Sequence, residues 1–280
     1  MASTLFSEED PFSPIKYCYE IEEVLYSLRT EYSEIKVLKS PYFGRMLALN
    51  NVIQLTERDE YLYHEMLVHV PLHILPMPVD VLIIGGGDGG SLREVLKHRA
   101  VERVVIVEID KEVIEVSKKL LPALSEGFSD QRAHVVIADG ADFLSTTKEA
   151  FDLIVVDCTD PVGTAESLFT TQFFNDAFSA LKADGIFVAQ TESLHFHLDF
   201  IRNVQHRLAQ RFPIVDLYTV PLATYAGNWW TFSIAAKRYH PRDSLRECEV
   251  PTRYYAGDVH RQAFLPSSLY RRLIGSKVCP

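Results

Sequence analysis

The chain has 280 residues, enough for one large domain or two modest ones around a sizeable apolar core. Its formal charge of −10 argues against a general nucleic-acid binder, because such proteins need a basic face. The opening MASTLFSEED lacks the pattern of a signal peptide, and no apolar run approaches the ~20 residues of a membrane span. None of the four cysteines shows CxxC spacing, which predicts reduced thiols in a cytoplasmic protein; they are Cys18, Cys158, Cys248 and Cys279.

Residues up to about 55 have the pattern of β-strands. EIKVLKS is followed by GRMLALNNVIQL, in which Asn50-Asn51 separates two apolar runs and predicts a hairpin turn. Thr56 and Asp59 then resemble a capping box, and the apolar residues that follow recur at helical spacing. The pattern predicts a helix over about 58–73, ended by the prolines that follow.

Beyond residue 79, short runs rich in Val and Ile alternate with helix-like stretches. The strand-like runs are DVLIIG, RVVIVEI, HVVIAD, FDLIVVD and GIFVAQ, and the helix-like ones are SLREVLKHR, KEVIEVSKKLL and TTQFFNDAFSALKA. This alternation predicts an α/β fold with a parallel sheet covered on both faces, and IVDLYTV and WWTFSIAAK are expected as antiparallel strands closing one edge. The Pro-containing stretch 76–79 predicts a boundary between a β-strand domain with a linking helix (1–78) and a second domain (79–280).

The segment VLIIGGGDGGSLREV has a GxGxxG pattern, formed by Gly85, Gly87 and Gly90 between a strand and a helix. Alone, this pattern also fits an ordinary strand-to-helix turn. Glu108 ends the next strand, where a carboxylate can accept hydrogen bonds from ribose hydroxyls. Asp88 in the middle of the loop would repel a pyrophosphate but suits an ammonium or sulfonium group. The pair favours an adenosylmethionine-type nucleoside over a dinucleotide.

Two further strands also end in acidic residues. The third ends at Asp139-Gly140, where Asp139 could accept from the exocyclic amine of adenine, and the fourth runs into VVDCTDPVG with Asp157 and Asp160. A lone DxxD is usually a solvated turn. Because ligands of open α/β sheets bind at the carboxyl ends of the strands, these acids are expected to share one mouth that cationic ligands neutralise.

Several long motifs together resemble the polyamine aminopropyltransferases, and most of all the bacterial spermidine synthases. They are GRMLALNNVIQLTERDEYLYHEMLVHVPL, VLIIGGGDGGSLREV, VVIVEID, DCTDPVG with AESLF, FVAQTES and RYY with a following His and AF. The resemblance implies a methyltransferase-like Rossmann domain after a small N-terminal β domain, usually in a homodimer or homotetramer. It implies transfer of an aminopropyl group from decarboxylated S-adenosylmethionine to putrescine, with no other cofactor.

The resemblance also implies roles at matching positions. Asp157 is implied to accept the proton, with the Tyr63 hydroxyl orienting the same nitrogen, and Gln54 to line the polyamine channel. The implied nucleoside-binding residues are Ser33, Gln54, Asp88, Glu108, Asp139, Gly140 and Thr164. The implied polyamine-binding residues are His64, Asp88, Asp157, Asp160 and Tyr225. Trp230 fits either an apolar wall for the amine or a core position.

The chain departs from the family pattern at three places. Ser33 stands where relatives have Gln, Thr164 stands where they have Pro, and RYYAGDVH lacks the usual Pro, so altered nucleoside binding is expected. A polyamine N-methyltransferase and a non-catalytic polyamine or nucleoside binder are the alternative functions, and cadaverine, agmatine or spermidine the alternative acceptors. His195 and His197 suggest zinc, but no third ligand is apparent, so no metal is expected.

Overall fold

The computed structural model describes residues 4–10, 13–243 and 246–275. The N-terminal part forms two antiparallel sheets, of two and of four strands. The strands are β1 (Thr4–Glu9), β2 (Lys16–Ile21), β3 (Glu23–Arg29), β4 (Glu34–Ser40), β5 (Gly44–Leu49) and β6 (Val52–Thr56). The predicted hairpin is confirmed, because Asn50 and Asn51 join β5 to β6 with φ of 53° and 65°. Two left-handed residues in succession give the turn that best matches strand twist.

The larger part of the chain is built on a seven-stranded mixed sheet in the order β12-β13-β11-β10-β7-β8-β9. Its strands are β7 (Asp80–Gly85), β8 (Arg103–Glu108), β9 (Ala133–Ile137), β10 (Phe151–Asp157), β11 (Leu181–Ser193), β12 (Ile214–Val220) and β13 (Trp230–Ala236). Strands β7 to β11 pair in parallel, while β13 is antiparallel to both its neighbours. Separate apolar clusters cover the two faces. The predicted α/β fold with an antiparallel edge is therefore confirmed.

Helices pack on both faces of this sheet. They are α1 (Glu60–Ile74), α2 (Gly90–Leu96), α3 (Lys111–Leu120), α4 (Pro122–Ser125), α5 (Gly140–Ser145), α6 (Thr171–Ala180), α7 (Leu198–Leu208), α8 (Gly257–Ala263) and α9 (Ser267–Ile274). Short 3₁₀ turns cover Glu126–Ser129, Gly163–Phe169 and Ala226–Asn228. No helix among the described residues is long and apolar enough to span a bilayer.

The predicted linking helix is α1, and it packs against α2 and the large sheet. It begins two residues later than predicted, and the capping-box assignment is wrong. The Thr56 hydroxyl donates to the Asp59 carboxylate (2.6 Å), and Asp59, at the N-cap, makes no side-chain cap bond. The predicted boundary between residues 78 and 79 falls between α1 and β7.

One predicted helix is too long at its C-terminal end. The pattern placed helix over LKA, but α6 ends at Ala180 and the chain enters β11 at once. The extended backbone lets Lys182 Nζ reach Asp80 (2.6 Å) and Asp152 (2.9 Å) on two neighbouring strands. Pairing across the sheet thus overrides the local helical pattern.

The cysteines in the described part of the chain are free, as predicted. Cys18, Cys158 and Cys248 are free cysteines. Cys279 lies outside the described residues.

Candidate active site

A cavity of about 580 Å³ opens at the carboxyl ends of the parallel strands, between them and the N-terminal sheets. It contains every predicted catalytic, nucleoside-binding and polyamine-binding residue: Ser33, Gln54, Tyr63, His64, Asp88, Glu108, Asp139, Gly140, Asp157, Asp160, Thr164 and Tyr225. The acidic residues that end separate strands therefore share one cavity. This convergence is what the strand pattern predicted.

The glycines after β7 allow three neighbouring groups to approach the loop. Gly85 has φ of +81°, and a Cβ there would lie 2.1 Å from the backbone oxygen of Asp157. A Cβ on Gly90 would lie 2.2 Å from the His64 ring. A Cβ on Gly87 would lie 2.9 Å from a carboxylate oxygen of Glu108. The GxGxxG pattern thus brings a strand end, an imidazole and a carboxylate to the same loop.

Asp157 ends β10 at the centre of the cavity. Its Oδ1 accepts the Tyr63 hydroxyl (2.8 Å) and its Oδ2 accepts the Ser91 hydroxyl (2.6 Å). Burial, and next the charge of Asp88, raises the pKa of Asp157 above its ordinary value, against the lowering effect of those two hydrogen bonds. Each carboxylate oxygen keeps a second lone pair for a ligand. Ser91 was missed by the sequence analysis because a serine opening a helix carries no distinguishing pattern.

Partly buried Asp88 and fully buried His64 form an ion pair beside Asp157. His64 Nε2 lies 3.4 Å from Asp88 Oδ1, and His64 Nδ1 lies 2.7 Å from Glu60 Oε2. Burial alone would lower the pKa of His64, but the two carboxylates outweigh it and raise that pKa well above its ordinary value. Burial likewise opposes ionisation of Asp88, yet the charge of His64 holds the pKa of Asp88 below its usual value. His64 therefore carries a proton on each ring nitrogen.

His64, Asp88 and Asp157 offer ligand atoms within 4.8 Å of one another. A divalent cation needs a neutral imidazole with a free lone pair, whereas both nitrogens of His64 face carboxylates. The donor set suits an ammonium group better than a metal ion.

Glu108, at the end of β8, and Asp139, shortly after β9, also line the large cavity. Glu108 Oε1 accepts the backbone N–H of Asp110 (2.9 Å), and burial raises the pKa of Glu108 to about 7. Asp139 caps α5 by accepting the N–H groups of Ala141 (2.7 Å) and Asp142 (3.1 Å) on the same oxygen, Oδ1. Its Oδ2 makes no hydrogen bond within the described part of the chain and can serve a ligand.

Two of the three departures from the family pattern, Ser33 and Thr164, also line this cavity. Ser33 is buried and its hydroxyl lies 3.4 Å from Asp110 Oδ2, whereas Thr164 is exposed in a 3₁₀ turn. The side-chain amide of Gln54 donates to the carbonyl of Val52 (3.2 Å). The backbone carbonyl of Gln54 accepts the Tyr225 hydroxyl.

A second, smaller cavity of about 40 Å³ lies beyond Tyr63 and Tyr225 and shares Asp160 with the large one. Its polar lining residues include Glu8, Asp10, Gln190, Glu192, His197 and Trp230. Glu8 Oε2, Glu192 Oε1 and Trp230 Nε1 are buried there without a hydrogen-bond partner among the described residues. Unsatisfied buried polar atoms of this kind mark a place for a polar ligand or water.

We call Glu8, Asp10, Asp160 and Glu192 the acidic cluster. Burial, and next the Glu192 carboxylate, raises the pKa of Asp160 well above its ordinary value, and burial raises that of Glu8 to about 7. His197 contacts the cluster from behind, with Nδ1 3.2 Å from Glu192 and Nε2 3.4 Å from Asp10.

Of the acidic cluster, only Asp160 was predicted from the sequence. Glu8 and Asp10 come from the N-terminal part of the chain in no recognisable motif. Glu192 lies in FVAQTES, one of the segments that carry the family resemblance, and has a left-handed φ of 69°. Strained backbone at a non-glycine residue is common at binding sites, but it is visible only in the folded chain. His195 is exposed and His197 faces carboxylates, so the two histidines do not share a ligand set.

Comparison with known proteins places this site in a family. Residues 60–244 match the family model "Spermine/spermidine synthase domain", and residues 4–57 match "Spermidine synthase tetramerisation domain". The chain belongs to the polyamine aminopropyltransferase family. This transferase is 56% identical over 277 residues to polyamine aminopropyltransferase 1 of Aquifex aeolicus (strain VF5), covering 99% of each chain.

Other comparisons agree with that assignment. The aminopropyltransferase is 49% identical over 274 residues to the polyamine aminopropyltransferase of Hydrogenobaculum sp. (strain Y04AAS1), covering 98% of each chain. A crystal structure of spermidine synthase in complex with the transition state analogue AdoDATO superposes with a TM-score of 0.93 at 36% identity, covering 97% of this chain and 95% of that one.

Proposed function

We propose that this aminopropyltransferase moves the aminopropyl group of decarboxylated S-adenosylmethionine to putrescine, giving spermidine and methylthioadenosine. The observation that carries the proposal is the position of Asp157. Its carboxylate lines the large cavity, which is suited to a nucleoside, and accepts the hydroxyl of Tyr63, which also lines the small cavity with its acidic residues. A diamine that extends from the large cavity toward the small one would thus present one nitrogen to the base and the other to the acidic cluster.

The large cavity supports binding of a nucleoside that carries a sulfonium and an amine. Glu108 is placed to accept from the ribose hydroxyls, and Asp139 Oδ2 to accept from the adenine amine. Asp88, ionised beside His64, is suited to the ammonium of the aminopropyl group. Intact S-adenosylmethionine carries a carboxylate on the same chain, which Asp88 would repel. The site therefore favours the decarboxylated nucleoside over a methyl donor.

The reaction requires a neutral amine, and Asp157 provides the base. A free alkylamine has a pKa of ~10.4, so at pH 7 roughly one in 2,500 is neutral. An ordinary aspartate is a weak base for this proton, but a raised pKa strengthens it. The neutral nitrogen attacks the methylene next to sulfur, so a C–N bond forms while the C–S bond breaks. The bonding electrons neutralise the sulfonium, and the surplus proton goes to Asp157.

The second nitrogen of putrescine stays charged in this scheme. The acidic cluster would hold that ammonium, with Asp160 and Glu192 as its nearest anchors and Trp230 Nε1 satisfied through water. Tyr63 and Tyr225 would line the methylene chain between the two ends, since their rings stand 5.8 Å apart edge to face. The transfer as written moves no net electrons between substrates and calls for no further cofactor. The match of residues 4–57 supports a homodimer or homotetramer.

The direct test measures methylthioadenosine release by the purified full-length protein. The donor is decarboxylated or intact S-adenosylmethionine, and the acceptor is putrescine, cadaverine, agmatine or spermidine. We expect turnover with the decarboxylated donor only, and the highest kcat/KM with putrescine. A higher kcat/KM for another amine would overturn the putrescine assignment, and consumption of intact S-adenosylmethionine would overturn the choice of donor.

A further inference from the structure

Three buried histidines cluster behind the active site, on the opposite end of α1 from His64. His69 and His73 lie one turn apart on α1, and His98 follows α2. All three are no more than 5% exposed. One ring nitrogen from each lies within 4.8 Å of the others, and the ring centroids are 5.1–5.9 Å apart. We call His69, His73 and His98 the histidine trio.

The outer ring nitrogens of the trio already have partners that fix their tautomers. His69 Nε2 lies 2.9 Å from Glu94 Oε2, and because a carboxylate only accepts, this nitrogen carries the hydrogen. His73 Nδ1 donates in the same way to the backbone oxygen of His69 (2.8 Å). These bonds leave His69 Nδ1 and His73 Nε2 as the nitrogens with lone pairs. Histidines that ligate metals show this same outer hydrogen bond to a carboxylate or carbonyl.

The inner nitrogens come close enough for one ion to bridge them. His69 Nδ1 and His98 Nε2 are 2.9 Å apart, joined by a single hydrogen. Two imidazoles on a tetrahedral Zn²⁺ have nitrogens roughly 3.4 Å apart, given Zn–N bonds of ~2.0–2.1 Å. The rings would need to separate by about 0.5 Å, and the His98 proton would move to its outer nitrogen. The rearrangement required of His69 and His98 is small.

We propose that the histidine trio binds one divalent cation of the zinc class, with three imidazole ligands and a water in the fourth position. Neutral imidazoles suit Zn²⁺, Ni²⁺, Cu²⁺ and Co²⁺ over the harder Mg²⁺ and Ca²⁺. The ion would be structural, because none of the three histidines lines either of the two cavities proposed to bind the substrates.

Charged side chains of both signs lie around the trio, and three of them are cationic. Glu94 supplies a buried carboxylate, which also pairs with Arg93 (2.9 Å) and Lys97 (2.6 Å). The positive charge of Arg246 disfavours protonation of His73 and His98. The contacts described above assign a single ring hydrogen to each histidine of the trio, so the three imidazoles are neutral as ligands must be.

The bound ion would hold two separate segments together, and a third segment packs on them. The trio joins α1 to the residue that follows α2, and Tyr255 of the C-terminal part stacks on His73 with centroids 4.8 Å apart. A ligand that binds only the folded state raises its stability. Metal loading should therefore raise Tm without entering the chemistry.

The test uses tag-free full-length protein. Because the trio is buried, the protein is unfolded in urea with a chelator and refolded with or without Zn²⁺ or Co²⁺. We expect one ion per chain by elemental analysis, visible d–d absorption of tetrahedral Co²⁺, and a higher Tm for the loaded protein. His73→Phe keeps a ring for Tyr255 to stack on but removes a ligand, so it should lose the ion, the absorption and the Tm increase together.

The matched control is His195→Gln, which removes an exposed histidine outside the trio and should bind the ion as the wild type does. X-ray absorption of the loaded wild type should show a nitrogen-rich shell with imidazole scattering, and this readout does not depend on any variant folding. Wild-type protein that refolds but retains no ion would overturn the proposal. So would His73→Phe binding as tightly as the wild type, or a ligand shell without imidazole.

Discussion

At the scale of single residues, Asp157 holds two hydroxyl donors while its pKa is raised by burial and by Asp88. Asp157→Asn removes the base but keeps the shape of the side chain. We expect kcat to fall by about 10²–10⁴-fold, the usual contribution of general base catalysis. Nucleoside affinity, measured by calorimetry, should change little because Asn still accepts from Tyr63 or Ser91. Near-normal turnover would show that another group takes the proton.

The two hydroxyl groups that donate to Asp157, those of Ser91 and Tyr63, should have different effects on the pH profile of the enzyme. Ser91→Ala removes a hydrogen bond that lowers the pKa of Asp157, so that pKa rises and the acidic limb of kcat/KM moves to higher pH. The shift should be about one to two pH units, since a hydrogen bond to a charged group contributes about 1.5–3 kcal/mol. Tyr63→Phe should shift the limb in the same direction and also lower the plateau, because Tyr63 is proposed to orient the attacking nitrogen. Identical plateaus in the two variants would argue against that orienting role.

Asp160 is proposed to bind the ammonium group at the second end of the diamine. Butylamine has the same four-carbon chain as putrescine but lacks this second ammonium group. Asp160→Asn should raise KM for putrescine about 10- to 100-fold, the loss expected for a charged hydrogen bond. Its kcat should stay near the wild-type value. With butylamine, wild type and variant should behave alike. A similar penalty for both amines would mean that Asp160 shapes the cavity and does not recognise charge.

At the scale of elements, local patterns predicted what depends on local contacts. Apolar runs along the sequence predicted the seven strands of the large sheet, and Asn50-Asn51 predicted the hairpin of the N-terminal sheet. Both features depend on the burial and the turn conformation of residues close together in the sequence. The predicted cap of α1 was wrong, because the Thr56 hydroxyl donates to the Asp59 side chain. The predicted start of β11 was also wrong, because Lys182 lies in the strand and pairs with Asp80.

The candidate site shows the same division. Residues at strand ends could be placed together because topology brings all carboxyl ends of a parallel sheet to one edge. Glu8 could not, because its approach to Asp160 depends on how β1 lies over the mouth of the sheet. No spacing in the sequence encodes that distance. The histidine trio was missed for a related reason, since His98 joins His69 only when α2 packs on α1.

The contact between α1 and α2 gives a prediction about packing. Gly90→Ala would place a Cβ 2.2 Å from the His64 ring, so the helix or the imidazole must shift. We expect the free energy of unfolding to fall by about 1–3 kcal/mol, the usual cost of overpacking, as measured by urea denaturation. Gly257→Ala is the matched control, because a Cβ there would meet only Arg261 Nη1 at 3.8 Å. Equal stability of the two variants would mean that the loop relaxes freely.

At the scale of the whole molecule, the chain carries a net charge of −10 and concentrates carboxylates at its substrate cavities. Burial raises the pKa of Glu8 in the folded protein to about 7 from an ordinary value of 4.5, and it also raises the pKa of Asp160. Between the unfolded and the folded pKa of each group, the folded protein therefore keeps a proton that the unfolded chain has lost. The contribution of Glu8 and Asp160 to the stability of the ligand-free protein therefore falls as pH rises from 4.5 through 7. Above that interval the charged carboxylates remain as an electrostatic cost.

Putrescine should offset this cost only where the carboxylates are ionised. The increase in Tm caused by saturating putrescine is therefore expected to be small near about pH 5 and to grow toward about pH 8, since bound ammonium neutralises the acidic cluster. Butylamine, which cannot reach the cluster with a charge, should give an increase that varies less with pH. In Asp160→Asn the growth with pH should shrink. An increase in Tm that is the same at every pH would show that the cluster stays ionised without its ligand, and that the acids are satisfied by groups other than the substrate.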